Sequence, residues 1–306
     1  MGWPLHVAKQ AITCRLPYAE ALRQLKRRAF GYEPDPSNLL QTLSHYTDMR
    51  QAWERAGLSA TGATVLEVGT GWFPTVPLCL LADGARRVLM TDLNVHLDNT
   101  TYAATRRFLT QREPARFAGL AAGSWQELPL EYLAPFNPDH VADASLDFVV
   151  SRTVLEHIPA PAIVELLSRL RPKLRAGGAM VHCIDHSDHL EHRDKRISKV
   201  NFLTWPDQQH RLVNWLTREG ENRLRHHEYP ELFRSAGFDV ISSQANVHQP
   251  TAEKISALAL KDRFKTMSAE QLATLDSTFV IVPRRSDGAP VQASIVQALP
   301  VHVSTA

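Results

Sequence analysis

The segment that most constrains the fold is an apolar run that leads into a pair of glycines. Val65-Leu66-Glu67-Val68 is followed directly by Gly69-Thr70-Gly71 and then by the start of a short helix. Glycine lacks a Cβ atom, so the chain can turn tightly there and a ligand can approach the main chain. A strand, a Gly-x-Gly turn and a helix in this order are typical of nucleotide-binding α/β folds.

A carboxylate follows the next apolar run. Val88-Leu89-Met90-Thr91 ends in Asp92, which comes about twenty residues after Gly71. An acid at the tip of the second strand is placed to accept hydrogen bonds from two ribose hydroxyls. Together the two features predict that a ribose-bearing cofactor binds near the ends of strands one and two.

Composition limits the classes of partner. The chain has 306 residues, a formal charge of +2 and 44% hydrophobic residues, which fits one elaborated domain better than two independent cores. This charge predicts no nucleic-acid partner, since the basic run at residues 23–28 has the spacing of a solvated helix face. No apolar stretch approaches the length of a membrane span, and no secretory signal is evident at the N-terminus.

The cysteines and the cellular setting can be read together. Cys14, Cys79 and Cys183 are few and far apart, and the last two lie in apolar runs. Buried, reduced thiols in a cytoplasmic protein fit this pattern best. We expect a monomer or homodimer that acts on a small molecule, away from membranes.

The chain divides into three parts. Residues 1–60 carry helical patterns, over 8–29 and 38–55, and we predict that they form a cap or lid. Residues 61–285 would form the cofactor-binding domain, with an insertion at about 186–230 that contributes to the substrate pocket. Residues 286–306 show little pattern and are expected to be a loose tail.

Short strands and helices alternate through the second part. The predicted strands are 64–68, 87–91, 117–121 (a weak one), 146–151, 179–185, 238–243 and 279–282. The predicted helices between and after them are 95–109, 160–170, 253–264 and 269–274, with a short one ending near Gly84. This alternation predicts βαβ units, a parallel sheet and helices on both of its faces.

Two cofactor classes compete for the glycine turn. A dinucleotide fingerprint needs a third glycine three residues after Gly71, for close packing of helix on strand, but Pro74 stands there. Trp72 and Phe73 also crowd a loop that would have to wrap a pyrophosphate. A cofactor without phosphates is therefore easier to accommodate, and a nicotinamide oxidoreductase is disfavoured.

At four places the sequence resembles the Rossmann-like S-adenosylmethionine-dependent methyltransferases. Residues 67–71 resemble their first motif and Asp92 resembles the acid that ends their second strand. Residues 145–158 are similar to their fourth-strand motif, and residues 171–178 to the turn before their fifth strand. The resemblance covers roughly residues 60–285. It implies an α/β fold: a Rossmann-like, seven-stranded, mostly parallel sheet with an antiparallel last strand, plus the N-terminal helical cap.

The resemblance also implies a set of residues that bind S-adenosylmethionine. They would border the methionine portion, hold the ribose or pass the adenine: Glu67, Gly69, Thr70, Gly71, Asp92, Leu93, Ser124, Trp125, Ser151 and Arg152. Phe73 stands where the family often has another glycine, which affects the path of the loop. For Trp125, simple packing and stacking on the base remain alternatives.

Catalytic candidates follow the fourth and fifth strands, because ligands of such sheets bind at the carboxyl ends of strands. Arg152 lies in the first group, with Glu156 and His157, and His157 could be structural or catalytic. In the second group His186 or His189 could act as a base, with Asp185 or Asp188 orienting the imidazole.

The same histidines raise the question of a metal. Imidazoles three residues apart beside carboxylates can hold one, and His182 and His192 add to the set, but such mixtures are also ordinary loop chemistry. We assign no metal-binding residue.

The acceptor side is predicted from the cap and the insertion. The residues we expect to contact substrate are Tyr46, Asp188, Asn201 and Arg223. Arg223, like Arg225, could clamp a carboxylate or phosphate, or could simply pair with an acid nearby.

We predict a methyltransferase acting on oxygen or nitrogen of a small metabolite, in a biosynthetic pathway. Two alternatives use the same cofactor. One is a cyclase that makes a small cyclic amino acid and methylthioadenosine by intramolecular displacement. The other is a non-catalytic partner subunit that only binds the cofactor.

Overall fold

The computed structural model describes residues 2–13, 34–284 and 302–304. An eight-stranded sheet forms its centre, in the order β3-β2-β1-β4-β5-β7-β6-β8. The strands are Thr64–Val68 (β1), Arg87–Thr91 (β2), Leu130–Leu133 (β3), Leu146–Arg152 (β4), Leu174–Asp185 (β5), Phe238–His248 (β6), Thr274–Pro283 (β7) and His302–Ser304 (β8).

Seven of these strands form the predicted sheet. β1 to β5 pair in parallel, and β7 runs antiparallel between β5 and β6. The α/β fold with a seven-stranded mixed sheet and an antiparallel last strand is therefore confirmed. β8 pairs in parallel with the free edge of β6, inside the segment that we expected to be a loose tail.

Helices cover both faces of the sheet. They are Trp3–Thr13 (α1), Pro36–Arg55 (α2), Thr75–Ala82 (α3), Asn99–Arg112 (α4), Ala160–Leu170 (α5), Asp207–Thr217 (α6), Tyr229–Ser235 (α7), Gln249–Ala252 (α8) and Ala269–Ala273 (α9). Local signals set several of their starts. The carboxylate of Asp35 accepts a bond from the backbone of Ser37, and Asp98 and Thr101 form a reciprocal capping box on α4.

The core has a layer on each face because successive strand residues point to opposite sides. Val65 packs on one face with α2, α3 and α4, whereas the adjacent Leu66 packs on the other with α5 and α7. A third apolar cluster joins the insertion to α1 and α9 through residues such as Val7, Phe202 and Leu272. None of the helices among the described residues has the length and apolarity to cross a membrane.

The predicted cap is split between two places. α2 packs directly on the sheet, where Trp53 is 2% exposed. α1 instead lies against the insertion: the Trp3 amide donates to Asp194, and the Gln10 side chain donates to Glu219. Most of the predicted 8–29 helix lies outside the described residues, as do Cys14 and the basic run at 23–28.

Two element predictions were wrong. Residues 117–121 form a turn and not a strand, since Phe117 and Leu120 fold into the core beneath α4, and the third strand lies at Leu130–Leu133. Residues 253–264 form short 3-10 turns, Ile255–Ala257 and Asp262–Thr266, after the single turn of α8.

Candidate functional site

The glycine turn leaves β1 in a conformation that glycine adopts most readily. Gly69 and Gly71 have φ of 75° and 71°. The amides of Gly69 and Thr70 both donate to the carbonyl of Thr91, at 2.8 and 3.0 Å, which ties the turn to the end of β2. A Cβ on Gly69 would lie 2.6 Å from a methyl group of Val154, so only glycine lets the turn approach the loop after β4 this closely.

Asp92 directly follows β2 and lies beside the glycine turn, at the same edge of the sheet. Its Oδ2 atom lies 3.0 Å from the Gly71 amide and 2.9 Å from the hydroxyl of Tyr132, and both groups donate to it. Burial raises the pKa of Asp92, although these bonds oppose the rise. A carboxylate has about four acceptor positions, so Asp92 can accept further hydrogen bonds.

A cleft of about 580 Å³ opens beside these two features, and we call it the donor cleft. Its wall includes Gly69, Gly71, Asp92 and the 80%-exposed Leu93. Other lining residues come from the loop after β4 and from α5: Thr153, Val154, His157, Ile158, Ala162, Glu165, Leu166 and Arg169. Its volume lies within the range of small-molecule and cofactor sites.

The loop after β4 is held in an unusual path. Thr153 has a φ of 50°, which is rare for a β-branched residue and marks a position that its surroundings enforce. From the insertion, Asn222 locks the following turn, because its side chain donates to the carbonyls of Leu155 and Ile158 at 2.7 and 2.8 Å. The insertion therefore holds the turn that contributes His157 and Ile158 to the lining of the donor cleft.

A group of charged and titratable side chains lies beyond those strand ends. We call it the polar cluster, and it consists of Arg152, Glu156, His157, Asp185, His189 and Glu221. The imidazole of His189 lies 3.1 Å from Glu221 Oε1 and 3.6 Å from Asp185 Oδ2. Its ring centroid is 4.9 Å from that of His157, which also lines the donor cleft.

The polar cluster has strongly shifted titrations. Burial lowers the pKa of His189, but the adjacent carboxylate of Asp185 and the charge of Glu221 outweigh burial and raise it to about 10. Burial, with a smaller contribution from Asp185, raises the pKa of Glu156 to about 8. At neutral pH His189 is therefore an imidazolium, and Glu156 carries a proton.

Comparison with known proteins settles the family. A family profile described as "Methyltransferase domain" matches residues 18–243. The chain belongs to this methyltransferase family. None of the curated proteins compared matches the sequence significantly.

Solved structures of similar fold include three methyltransferases. An S-adenosylmethionine-dependent methyltransferase from Mesorhizobium loti has 17% identity and a TM-score of 0.43, covering 74% of this chain and 94% of its own. Mitomycin 7-O-methyltransferase has 14% identity, a TM-score of 0.43 and coverage of 92% and 61%. Geranyl diphosphate methyltransferase in complex with S-adenosylmethionine has 11% identity, a TM-score of 0.46 and coverage of 84% and 94%.

S-adenosylmethionine is the cofactor of this methyltransferase, and the donor cleft suits it. A Cβ on Gly71 would meet no atom within 4 Å, so the main chain at this turn stands open to a ligand. Asp92 lies at the tip of β2, where it can accept bonds from ribose hydroxyls. The exposed side chain of Leu93 follows it and offers an apolar surface to an adenine ring.

Several residues predicted to bind the cofactor do not line the cleft. The Glu67 side chain is buried and accepts a 2.6 Å bond from Thr70, while Ser151 is buried and bonded to His182. Ser124 caps the short turn at Trp125–Glu127, and Trp125 packs edge-on against Tyr132. These side chains support the residues that border the cleft, and Trp125 packs on Tyr132, which holds Asp92.

The structure separates the predicted catalytic residues. Arg152, Asp185 and His189 come together in the polar cluster. His186 points elsewhere: it is 3% exposed, and its two ring nitrogens bond to the Ser277 hydroxyl and the Leu224 carbonyl. This placement does not support its predicted role as a base, because its ring faces the protein interior.

Two of the residues predicted to contact the substrate, Asp188 and Tyr46, are buried. Asp188 is fully buried and accepts bonds from the amides of Leu190 and Phe202, so it shapes the loop after β5. Tyr46 is 1% exposed, and its hydroxyl donates to Asp83 at 2.7 Å. Neither side chain is available to a substrate.

Arg223 and Arg225, the two arginines considered as substrate clamps, hold the insertion together. Arg223 donates to the carbonyls of Phe202 and Trp205 and pairs with Asp207. Pairing with a nearby acid was one of the two alternatives, and the structure favours it over a substrate clamp. Asn201 lies in the same part of the insertion, at the start of the turn Asn201–Thr204. Arg225 is fully buried and donates to main-chain carbonyls.

Sequence reasoning missed Glu221, a member of the polar cluster. Glu221 reaches His189 from the far end of the insertion, 32 residues along the chain. It belongs to no motif, so no local signal could have found it. His45, a polar residue of the predicted cap that could face the site, lies on α2, 3.4 Å from the guanidinium of Arg152, and burial lowers its pKa to about 4.

Proposed function

We propose that this methyltransferase transfers the methyl group of S-adenosylmethionine to an oxygen or nitrogen atom of a small polar molecule. The observation that carries the proposal is the convergence of Arg152, Asp185 and His189 beyond the ends of β4 and β5. This group adjoins His157, which also lines the donor cleft. An acceptor bound there would lie beside the cofactor.

The residues of the polar cluster suit a polar acceptor. Asp185 and His189 have side-chain exposures of 13% and 18%, so a small molecule can reach them. An imidazolium at His189 and the guanidinium of Arg152 favour an acceptor that carries, or develops, negative charge. The carboxylate of Asp185 can accept a bond from a hydroxyl or amine.

Positioning is the main task of the chain in this reaction. S-adenosylmethionine supplies an electrophilic methyl group on a sulfonium, and the acceptor atom must be held in line behind it. Val154 packs so close to Gly69 that a Cβ there would lie 2.6 Å from its methyl group, and both residues line the donor cleft. Asn222 holds the turn that carries Glu156 and His157.

A product assay tests the proposal. The purified chain would be incubated with S-adenosylmethionine and a panel of small hydroxyl and amine compounds, with detection by mass spectrometry. We expect S-adenosylhomocysteine and a methylated acceptor. Methylthioadenosine as the product would show cyclisation instead, and binding of the cofactor without turnover on any acceptor would show a non-catalytic subunit. Either result would overturn the proposal.

A variant ties the activity to the polar cluster. His189→Gln removes a positive charge next to the acceptor, so kcat should fall by about a hundredfold, as when a charge-stabilising donor is lost. Affinity for S-adenosylmethionine should stay within about twofold, because His189 does not line the donor cleft. His227→Gln, at an exposed histidine, is the matched control.

A further inference from the structure

Three side chains of the polar cluster converge on one point. Glu156, His157 and His189 each offer a ligand atom, and these atoms all lie within 4.8 Å of one another. They come from two elements, the turn after β4 and the loop after β5. Residues from separate elements that meet in this way form the framework that a metal site needs.

Glu156 is the least satisfied member of this group. It is 4% exposed, and neither of its carboxylate oxygens has a hydrogen-bond partner among the described residues. A buried carboxyl without partners is costly, and the charge of Asp185 nearby adds to the cost. A cation bound at these oxygens would remove that cost.

His157 has the orientation of a metal-binding histidine. Its Nδ1 atom lies 2.7 Å from the carbonyl oxygen of Glu219, so the ring donates its N–H to the main chain. Nε2 then carries the lone pair of the neutral ring. A backbone carbonyl that fixes the tautomer in this way is the usual partner of a metal-binding imidazole.

His189 is oriented by a carboxylate in the same way. Its Nδ1 atom lies 3.1 Å from Glu221 Oε1, while Nε2 lies 3.6 Å from Asp185 Oδ2. The second distance is long for a hydrogen bond. Nε2 is therefore the nitrogen of His189 that is available to an ion, because Nδ1 is taken by Glu221.

We propose that Glu156, His157 and His189 bind a divalent transition-metal ion of the zinc class. Two imidazoles and one carboxylate form a donor set used by catalytic zinc, in which a fourth position stays open. Magnesium and calcium prefer all-oxygen sites, so two nitrogen ligands select against them. Glu221 orients one imidazole from outside, and Asp185 lies on the Nε2 side of His189.

The site has a consequence that rests on the proposed function. His157 belongs both to this site and to the wall of the donor cleft. A bound ion would replace the positive charge that the His189 imidazolium otherwise supplies, and its open position would take an acceptor oxygen or nitrogen. Loss of the acceptor's proton would then be assisted by the ion.

Metal binding can be measured without any methyl transfer. Full-length protein would be stripped with a chelator, exchanged into chelator-free buffer and titrated with Zn²⁺ alone, by calorimetry and elemental analysis. We expect one ion per chain. Glu156→Gln and His157→Asn should each weaken binding by more than about a hundredfold, beyond the usual cost of losing a residue that only orients a ligand. The exposed Glu253→Gln and His227→Gln are the controls and should bind as the wild-type protein does.

X-ray absorption of the zinc-loaded wild-type protein covers the case in which a variant fails to fold. It should show two imidazoles and light-atom ligands. Sulfur ligation, binding below one ion per chain, or equal affinity in folded variants would overturn the metal site. Affinity for S-adenosylmethionine would be measured on the stripped protein. Donor binding without zinc binding refutes the metal alone, whereas zinc binding without donor binding refutes only the proposed function.

Discussion

The donor side and the proposed acceptor side of this methyltransferase are built by different means. On the donor side, the turn at Gly69–Gly71 and Asp92 end two adjacent strands, and short main-chain bonds to Thr91 hold them together. On the acceptor side, His189 meets Glu221 and Asp185 through side chains from a long insertion. The donor side depends on backbone conformation, and the acceptor side depends on contacts between distant segments.

The acidic side chains of the two sides also differ in how many hydrogen-bond partners they have. At the donor cleft, the carboxylate of Asp92 has its own hydrogen-bond donors, the Gly71 amide and the Tyr132 hydroxyl. In the polar cluster, buried acids share one imidazolium, and Glu156 has no partner among the described residues. The proposed acceptor side therefore holds buried groups with strongly shifted pKa values, which are typical of sites that bind or react.

Loss of a buried arginine should have the largest effect, and it would show that the insertion is a structural support. Arg225 is fully buried and donates to the carbonyls of His186, Leu272 and Thr274. Arg225→Met leaves these carbonyls without a donor, so unfolding free energy should fall by about 3 kcal/mol or more. Chemical denaturation measures it.

Arg234→Met is the matched control for that variant. Arg234 pairs with Glu231 on the surface, and its side chain is 63% exposed. Its loss should change stability by less than about 0.5 kcal/mol. If both variants lost equal stability, the structural role assigned to Arg225 would be wrong.

Asp92→Ala tests the donor side. The variant loses the carboxylate that accepts hydrogen bonds from the ribose hydroxyls. Each hydrogen bond to a charged group contributes about 1.5–3 kcal/mol to the binding free energy. Affinity for S-adenosylmethionine, measured by calorimetry, should fall by about thirtyfold or more. Tyr132→Phe removes only one partner of Asp92 and should cost much less. Unchanged donor affinity in Asp92→Ala would contradict our placement of the ribose.

The two glycines of the turn should respond unequally to alanine. Both have positive φ, so each substitution carries strain of about 1 kcal/mol or more. Only at Gly69 does the new methyl group also collide with Val154. Gly69→Ala should therefore be the more destabilising in thermal unfolding, and Val154→Ala should partly rescue it. Equal melting temperatures for the two single variants would show that the loop after β4 moves freely.

The most gradual effect, spread over several pH units, is a pH dependence of stability at Glu67. Burial raises the pKa of this carboxyl to about 8, from an ordinary value near 4.5. Between these values the folded chain keeps a proton that the unfolded chain has lost, so stability falls as pH rises from 4.5 to 8. For one group the slope is at most about 1.4 kcal/mol per pH unit.

Glu67→Gln removes this titration while keeping an acceptor for the Thr70 hydroxyl. The difference in unfolding free energy between variant and wild type should therefore shift in favour of the variant as pH rises. The surface variant Glu253→Gln should show no such trend. A constant difference across this pH range would mean that Glu67 is ionised in the folded protein.

The features of the donor side could be predicted from the sequence far better than those of the proposed acceptor side. The strands at 64–68 and 87–91 were predicted to the residue, because each is an apolar run with a clear stop. Asp92 and the glycine turn were likewise visible in the sequence. The third strand was predicted in the wrong place. The actual strand, Leu130–Leu133, is short and lies at the edge of the sheet, so its apolar pattern is weak. Phe117 and Leu120 are apolar because they fill the core from a turn and not from a strand.

The roles of polar side chains were much harder to predict. His186 and His189 are three residues apart, yet one faces Ser277 in the interior and the other joins the polar cluster. Asp188 and Arg223 have the chemistry of substrate-binding groups, and both are used to hold the insertion together. No local pattern separates these uses, because the partners lie far along the chain.

The order of residues along short stretches of the sequence was enough to specify the strand–turn–helix unit and the acid of the second strand. From these two features the class of cofactor follows. Those features depend on hydrophobic periodicity and on backbone freedom at glycine, which are properties of neighbouring residues. The acceptor side emerged only from packing, which brought Glu156, Asp185 and Glu221 around His189. Burial and mutual charge then set their protonation, and neither quantity exists before the chain is folded.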